Sequence, residues 1–155
     1  MKWKSIPDRG NSTEKRYIMD EPVFIDTNIL IYAYSSTELD KKQLADKLLK
    51  TDVKISTQIV NEFIWVMTKK YNINAVKIKR IVKGLFFVYE VVLINQKIIE
   101  QALTIADRYS YSYWDSLVLS SALEADCSII YSEDMQHGQV IEEKLKISNP
   151  FAIKT

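Results

Sequence analysis

The chain has 155 residues, 47% of them hydrophobic and 26% charged, which is the size and balance of one globular domain. Its 21 Lys and Arg against 20 Asp and Glu leave a net charge of +1, a balance that by itself points to neither nucleic acid nor a membrane surface. Wholesale disorder, a membrane-spanning helix and a cysteine-based zinc cage are excluded: the apolar content suffices for a core, no apolar run approaches about 18 residues, and Cys127 is the single cysteine. With no signal-peptide-like apolar stretch at the N-terminus, the expected location is the cytoplasm.

Residues 1–20 are interrupted by Pro7, Gly10, Asn11 and Ser12 and read as a polar leader outside the core, with the domain expected over 21–155. Val23-Phe24-Ile25 is a short apolar strand stopped by Asp26, and Asn28 to Tyr34 can then turn helical. Leu39 to Lys50 is an amphipathic helix carried by Leu44, Leu48 and Leu49. Val53 to Ser56 reads as a second strand, followed by a helix from about Gln58 to Lys70. Asn74 to Gly84 is amphipathic, with Ile78, Ile81 and Val82 on one side and Gly84 as a stop. The β-branched and aromatic run from Phe87 to Ile94 reads as a third strand. Helices over Gln96 to Tyr109 and Tyr113 to Ala125 follow, then a fourth strand at Ser128 to Tyr131 and a fifth at Lys146 to Ser148. Strands separated by helices of this length pair in parallel through right-handed crossovers. The expected fold is therefore α/β, a three-layer α/β/α sandwich with a parallel, about five-stranded sheet.

Such sheets bind ligands outside the carboxyl ends of their strands. That rule selects Asp26 after the first strand, Glu62 two turns into the helix after the second, Asp115 at the start of a helix, and Asp134 after the fourth strand. Each has a plain structural role available. Asp26 suits a helix cap, Asp115 stands three residues after Ser112 as in a capping box, and Asp134 suits a turn. Glu62 neighbours Ile59, Phe63 and Val66 on its helix, where an acid is costly unless paired. If the four converge, two carboxylates about 6 Å apart repel by roughly 2–3 kcal/mol at an effective dielectric near 20. A hard divalent ion relieves that conflict, and oxygen ligands without Cys or His favour Mg²⁺ or Mn²⁺. Phosphodiester hydrolysis by a metal-activated water is the natural chemistry of such a site.

Four segments in order, Val23-Phe24-Ile25-Asp26-Thr27-Asn28, Asn61-Glu62-Phe63, Tyr113-Trp114-Asp115-Ser116 and Ser132-Glu133-Asp134-Met135-Gln136-His137-Gly138, resemble the successive motifs of PIN-domain nucleases. Ile147-Ser148-Asn149-Pro150-Phe151 resembles the closing strand of the VapC-type toxins. The resemblance implies a PIN-like fold and a Mg²⁺-dependent endoribonuclease, the toxin component of a VapBC-type toxin–antitoxin system. It implies Asp26 and Asp115 as principal metal ligands, with Glu62 and Asp134 completing the acidic pocket directly or through water. Thr27, Asn28 and Ser132 would orient these groups by hydrogen bonds. A homodimer and a cognate antitoxin are implied partners. Asp126-Cys127 departs from the pattern, since relatives often carry Gly before the fourth strand. Of the adjacent acids Glu133 and Asp134, the family spacing favours Asp134.

No acid occurs between Phe63 and Tyr89, a stretch holding Lys69, Lys70, Lys77, Lys79, Arg80 and Lys83. Lys69, Lys70 and Arg80 are candidate RNA-phosphate contacts with Tyr71 stacking on a base, although a solvated helix face explains the same charges. Trp65 and Met67 are candidates for a dimer or antitoxin contact, or for core packing. His137 is the only histidine, so an acid–base mechanism built on two imidazoles lacks a partner, and His137 reads as a loop residue near substrate or a structural one. An alternative to the enzyme is a non-catalytic RNA-binding or scaffold domain with a PIN-like fold. An aspartyl phosphatase of the HAD type is disfavoured, because Asn28 stands where that chemistry wants a second Asp.

Overall fold

The computed structural model describes residues 21–152, together with two short leader strands, β1 (Trp3–Ser5) and β2 (Tyr17–Met19). These two pair antiparallel as a small sheet of their own, which the sequence reading did not expect. The remainder of the leader, and the last three residues of the expected domain, lie outside the described residues.

The main sheet is built on β3 (Val23–Ile25), whose three apolar side chains are all buried. Burial on both faces is what turns a parallel strand into an uninterrupted apolar run. On one side β3 pairs with β4 (Val53–Ser56), and β4 with β5 (Glu90–Val92). On the other side it pairs with β6 (Ile129–Tyr131), and β6 with β8 (Leu145–Ser148), all in parallel. A two-residue strand, β7 (Val140–Ile141), adds an antiparallel edge to β8. The order is β5-β4-β3-β6-β8-β7, so the expected parallel sheet is present with one short strand more.

Between β3 and β4 run α1 (Thr27–Tyr32) and α2 (Leu39–Leu48); between β4 and β5 run α3 (Thr57–Lys69) and α4 (Ala75–Val88). The chain then returns past β3 through α5 (Gln96–Tyr109) and α6 (Tyr113–Glu124). Right-handed crossovers put α1–α4 on one face and the returning α5 and α6 on the other. The contacts agree, since α1 packs on α2 and α3, α3 on α4, and α5 on α6. Sequence fixes most helix starts through caps. Ser56, Asn74, Asn95 and Ser112 each accept a hydrogen bond from a backbone N–H in the first turn, at 2.9–3.4 Å. Among the described residues no helix is long and apolar enough to cross a membrane.

One stretch differs from the sequence expectation. The helix read as stopping at Gly84 runs on to Val88, and the strand read from Phe87 to Ile94 shrinks to three residues. A lone glycine in a helix costs about 1 kcal/mol, less than the roughly 1.5–3 kcal/mol gained by burying a side chain such as Leu85 beside it. The helix ends instead where the Tyr89 N–H donates to the Leu85 carbonyl at 2.9 Å and the Tyr89 hydroxyl reaches the Leu49 carbonyl at 3.1 Å. Phe87 resembles a strand residue in sequence but is 92% exposed.

The departure at Asp126 has a clear geometry. Asp126 follows the end of α6 with φ of 56°, the left-handed region that a helix terminus commonly fills with glycine. The Cys127 N–H reaches the Ala122 carbonyl at 3.1 Å and the Asp126 N–H reaches the Leu123 carbonyl at 3.0 Å, closing the last turn. Asp126 keeps the turn, and its carboxylate pairs with Lys144 at 3.0 Å.

Candidate active site

The chain leaves β3 toward β4 on one side and later returns to β6 on the other, so the crevice between the ends of β3 and β6 is the topological switch point of the sheet. Asp26 and Ser132 occupy those two ends. The Asp26 N–H is held by the Tyr131 carbonyl at 2.9 Å, which ties the end of β3 to β6. Its carboxylate caps α1, with Oδ1 accepting from the Thr27 N–H at 2.8 Å, while Oδ2 accepts from the fully buried Ser132 hydroxyl at 2.8 Å. The capping role foreseen for Asp26 is present, and the same residue lines the cavity described below.

Glu62 enters from α3 and is paired, as its apolar surroundings require. Its Oε2 accepts from the Thr27 hydroxyl at 2.5 Å and its Oε1 from the Gln58 amide at 2.9 Å. Gln58 also donates to the Trp114 carbonyl at 3.0 Å, joining α3 to the first turn of α6, where Asp115 stands. Asp134 accepts from the Asn28 amide at 2.6 Å. Asp26, Thr27, Asn28, Glu62, Asp115 and Asp134 line one cavity of about 300 Å³ with Ile31, Trp65 and Val66. Ser132 supports it from below through Asp26. Glu133 turns elsewhere, toward Tyr32 and Lys41.

Electrostatics follow from this packing. Burial pushes the Asp26 carboxyl from 3.8 up to about 6; the Ser132 and Thr27 hydrogen bonds oppose the rise, and the charges of Glu62 and Asp115 add to it. Asp115 is raised as well, first by burial, against a Ser112 hydrogen bond, and then by Asp134 and Glu62. The mutual repulsion anticipated from the sequence is present, but withdrawal from water is the larger cause. Among the described residues, no group of three or more His, Cys, Asp or Glu side chains is placed so that it could hold a metal ion. The carboxylates line the cavity without meeting at one point. An all-oxygen set of this openness fits Mg²⁺ or Mn²⁺, ions that bind through one or two carboxylates and retain water, better than it fits Zn²⁺.

Of the other candidates only Trp65 lines the cavity. Lys69, Lys70, Lys77, Lys79, Arg80 and Lys83 are exposed along the end of α3 and on α4, and Arg80 borders a separate cleft between α1, α2 and α4. The Lys70 ammonium lies 5.7 Å from the centre of the Tyr71 ring. His137 is exposed, and its Nδ1 accepts from the Asn149 N–H at 2.9 Å. Trp65, at the cavity mouth, is 64% exposed, whereas Met67 is core. Gln58 escaped the sequence reading. Its signal was the spacing of four before Glu62, which places the two side chains together on one helix face.

An α/β domain with an acidic cavity at its switch point defines the class. The PIN domain family matches residues 23–142, and the chain belongs to that family. No curated protein sequence matches it significantly. Among solved structures it is similar to a toxin–antitoxin complex from Klebsiella pneumoniae, with 20% identity, 84% of this chain and 99% of that one covered, and a TM-score of 0.64. It is also similar to VapC20 of Mycobacterium tuberculosis, described as a sarcin–ricin loop cleaving toxin, with 16% identity, coverage of 72% and 89%, and a TM-score of 0.58. A third similar structure is VapBC-1 of nontypeable Haemophilus influenzae, with 16% identity, coverage of 73% and 87%, and a TM-score of 0.53. At these identities the likeness is one of fold.

Proposed function

We propose that this protein is a Mg²⁺- or Mn²⁺-dependent endoribonuclease and the toxin half of a cytoplasmic toxin–antitoxin pair. The observation that carries the reading is the cavity at the switch point, where four acids from distant segments gather and burial makes the Asp26 charge costly. Membership of the PIN family and a fold shared with a toxin–antitoxin complex and with a VapC toxin support it.

Asp26 and Asp115 would hold the ion, with Glu62 and Asp134 contributing directly or through water. When bound, the ion would neutralise charge on a phosphodiester and make a water more acidic. The protein's own part is positional. Thr27 and Gln58 fix both oxygens of Glu62, Ser132 and the Thr27 N–H fix those of Asp26, and Asn28 restrains Asp134. Fixed acceptors need no reorganisation when charge develops, which is where preorganised polar sites gain rate. Lys69, Lys70 and Arg80 would hold RNA phosphates, and His137 would lie beside the RNA. The antitoxin and a second copy of the chain are the proposed protein partners.

Purified wild type, Asp26→Asn and Asp115→Asn incubated with RNA and Mn²⁺ test the proposal. Cleavage by wild type alone supports it; equal cleavage by all three samples overturns the assignment of the acids. The spacing of the carboxylates, which among the described residues form no group of three able to hold an ion, also suits a second reading, a PIN-like domain that binds RNA without cutting it. Calorimetric titration separates the two, because only the nuclease reading expects Mn²⁺ binding that disappears in Asp26→Ala.

A further inference from the structure

Glu133, the acid that turns away from the cavity, enters a cluster assembled from four segments. Its Oε1 accepts from Lys41 Nζ at 2.6 Å, and its Oε2 accepts from the Tyr32 hydroxyl. Lys41 also donates to the Tyr32 oxygen at 3.2 Å. The ammonium lies 4.7 Å from the centre of the Tyr32 ring and 5.4 Å from that of Phe151, and these two rings meet edge to face at 5.2 Å. Tyr32 closes α1, Lys41 lies on α2, Glu133 follows β6, and Phe151 belongs to the closing tail. All four are half-buried. The cluster is thus a charge-assisted bond between partners shielded by aromatic rings, the setting in which such pairs hold geometry.

Its location matters more than its strength. Glu133 and Asp134 are adjacent, and both are bound to α1, Glu133 by Tyr32 and Asp134 by Asn28. Asn28 and Tyr32 are four residues apart, one turn of one helix. The same helix begins at Asp26, so the loop after β6 is registered against the first acid of the site at two successive residues. Asp134 is itself exposed and has the Asn28 amide as its hydrogen-bond donor. Remove Lys41, and Glu133 becomes an uncompensated acid beside a phenol, favouring water over its present place. The loop then keeps its bonds at Ser132, Met135 and Gln136 but loses the charged anchor of Glu133, the residue next to Asp134.

We propose that Lys41, acting through Glu133, is a positioning residue that holds the loop after β6 so that Asp134 faces Asp26 and Asp115 across the cavity. This rests on the nuclease reading and deepens it, because it names a residue outside the cavity on which the geometry of the fourth acid depends.

The test compares wild type, Lys41→Met and Lys41→Arg, each with and without Asp134→Asn, using the full chain. Mn²⁺ affinity is measured by calorimetry, and cleavage of a quenched fluorescent RNA oligonucleotide of mixed sequence gives kcat and KM. Lys41→Met is expected to weaken Mn²⁺ binding about 5-fold, short of the roughly 10–100-fold typical of groups that touch a metal ligand directly. It is expected to lower kcat with KM unchanged, while Lys41→Arg keeps most of both. In the Asp134→Asn background Lys41→Met should add nothing, since the residue it acts through is gone. An equal loss in both backgrounds overturns the proposal, because it marks a general contribution to the fold. Unchanged Mn²⁺ affinity in Lys41→Met overturns it as well. If urea titration shows that Lys41→Met fails to fold, Tyr32→Phe is carried through the same cycle with the same criteria. A wild type that neither binds Mn²⁺ nor cuts RNA overturns the nuclease reading itself, an outcome distinct from a wild type that does both and is indifferent to Lys41.

Discussion

Replacing Asp26 with Asn should stabilise the metal-free protein at neutral pH. The Asp26 carboxyl is raised from 3.8 to about 6. At about 1.36 kcal/mol per pH unit, ionised Asp26 is about 3 kcal/mol costlier in the fold than in the unfolded chain. The sign follows from proton binding: between pH 4 and 6 the folded protein holds a proton that the unfolded chain has released. Stability from this group is therefore greatest at low pH and is lost as pH rises through 6. Asn presents a similar shape and keeps an oxygen for the Thr27 N–H and an amide for a rotated Ser132 hydroxyl. Allowing for the weaker neutral hydrogen bonds, Asp26→Asn is expected to be about 1–3 kcal/mol more stable than wild type at pH 7. At pH 4 the two should agree to within about 0.5 kcal/mol. Urea unfolding in the presence of chelator at both pH values measures the difference. A variant that is less stable than wild type by the same margin at pH 4 and pH 7 would refute the reasoning, because burial of the charge would then carry no cost.

Excess Mn²⁺ should raise the thermal midpoint of wild type and leave that of Asp26→Asn nearly unchanged, since an ion that binds only the folded form stabilises by mass action. Ser132→Ala removes a donor that favours the Asp26 charge; it should cost about 1–3 kcal/mol at pH 7 and distinctly less at pH 4, read by the same urea titrations. Phe63→Ala, in a fully buried position, should cost about 3–5 kcal/mol by urea unfolding with cleavage preserved in the folded fraction. Asp126→Gly should raise the urea midpoint, because glycine adopts the left-handed turn without strain and the lost Lys144 pair is exposed.

Two of the acids that line the cavity, Asp26 and Asp134, were legible because their positions follow a rule of the fold: short apolar strands end in polar residues at one edge of a parallel sheet, whereas Glu62 and Asp115 lie in helices. Val23-Phe24-Ile25 followed by Asp26 states that rule in four residues. Lys41 was not legible, since nothing in its local sequence distinguishes a surface lysine from one committed to a partner far along the chain, and Gln58 carried only its spacing of four before Glu62. The start of the stretch from Phe87 to Ile94 misled for a related reason. Its composition favours a strand, but the anchoring of Leu85 and Tyr89 against neighbouring elements, which composition does not encode, decides in favour of helix. The edge strand at Val140–Ile141 is too short to carry a period. The balance between burial and repulsion at Asp26 likewise required the packing of β3 against β6 before it could be judged.

The bond between Asp26 and Ser132 spans 106 positions of sequence. A nascent chain exposes this aspartate early, as an ordinary carboxylate surrounded by water. It changes character only when a strand made near the end of synthesis slides in alongside. Shortened products lacking that strand would carry most of the acids and none of their arrangement, so the pocket is a property that late translation confers all at once.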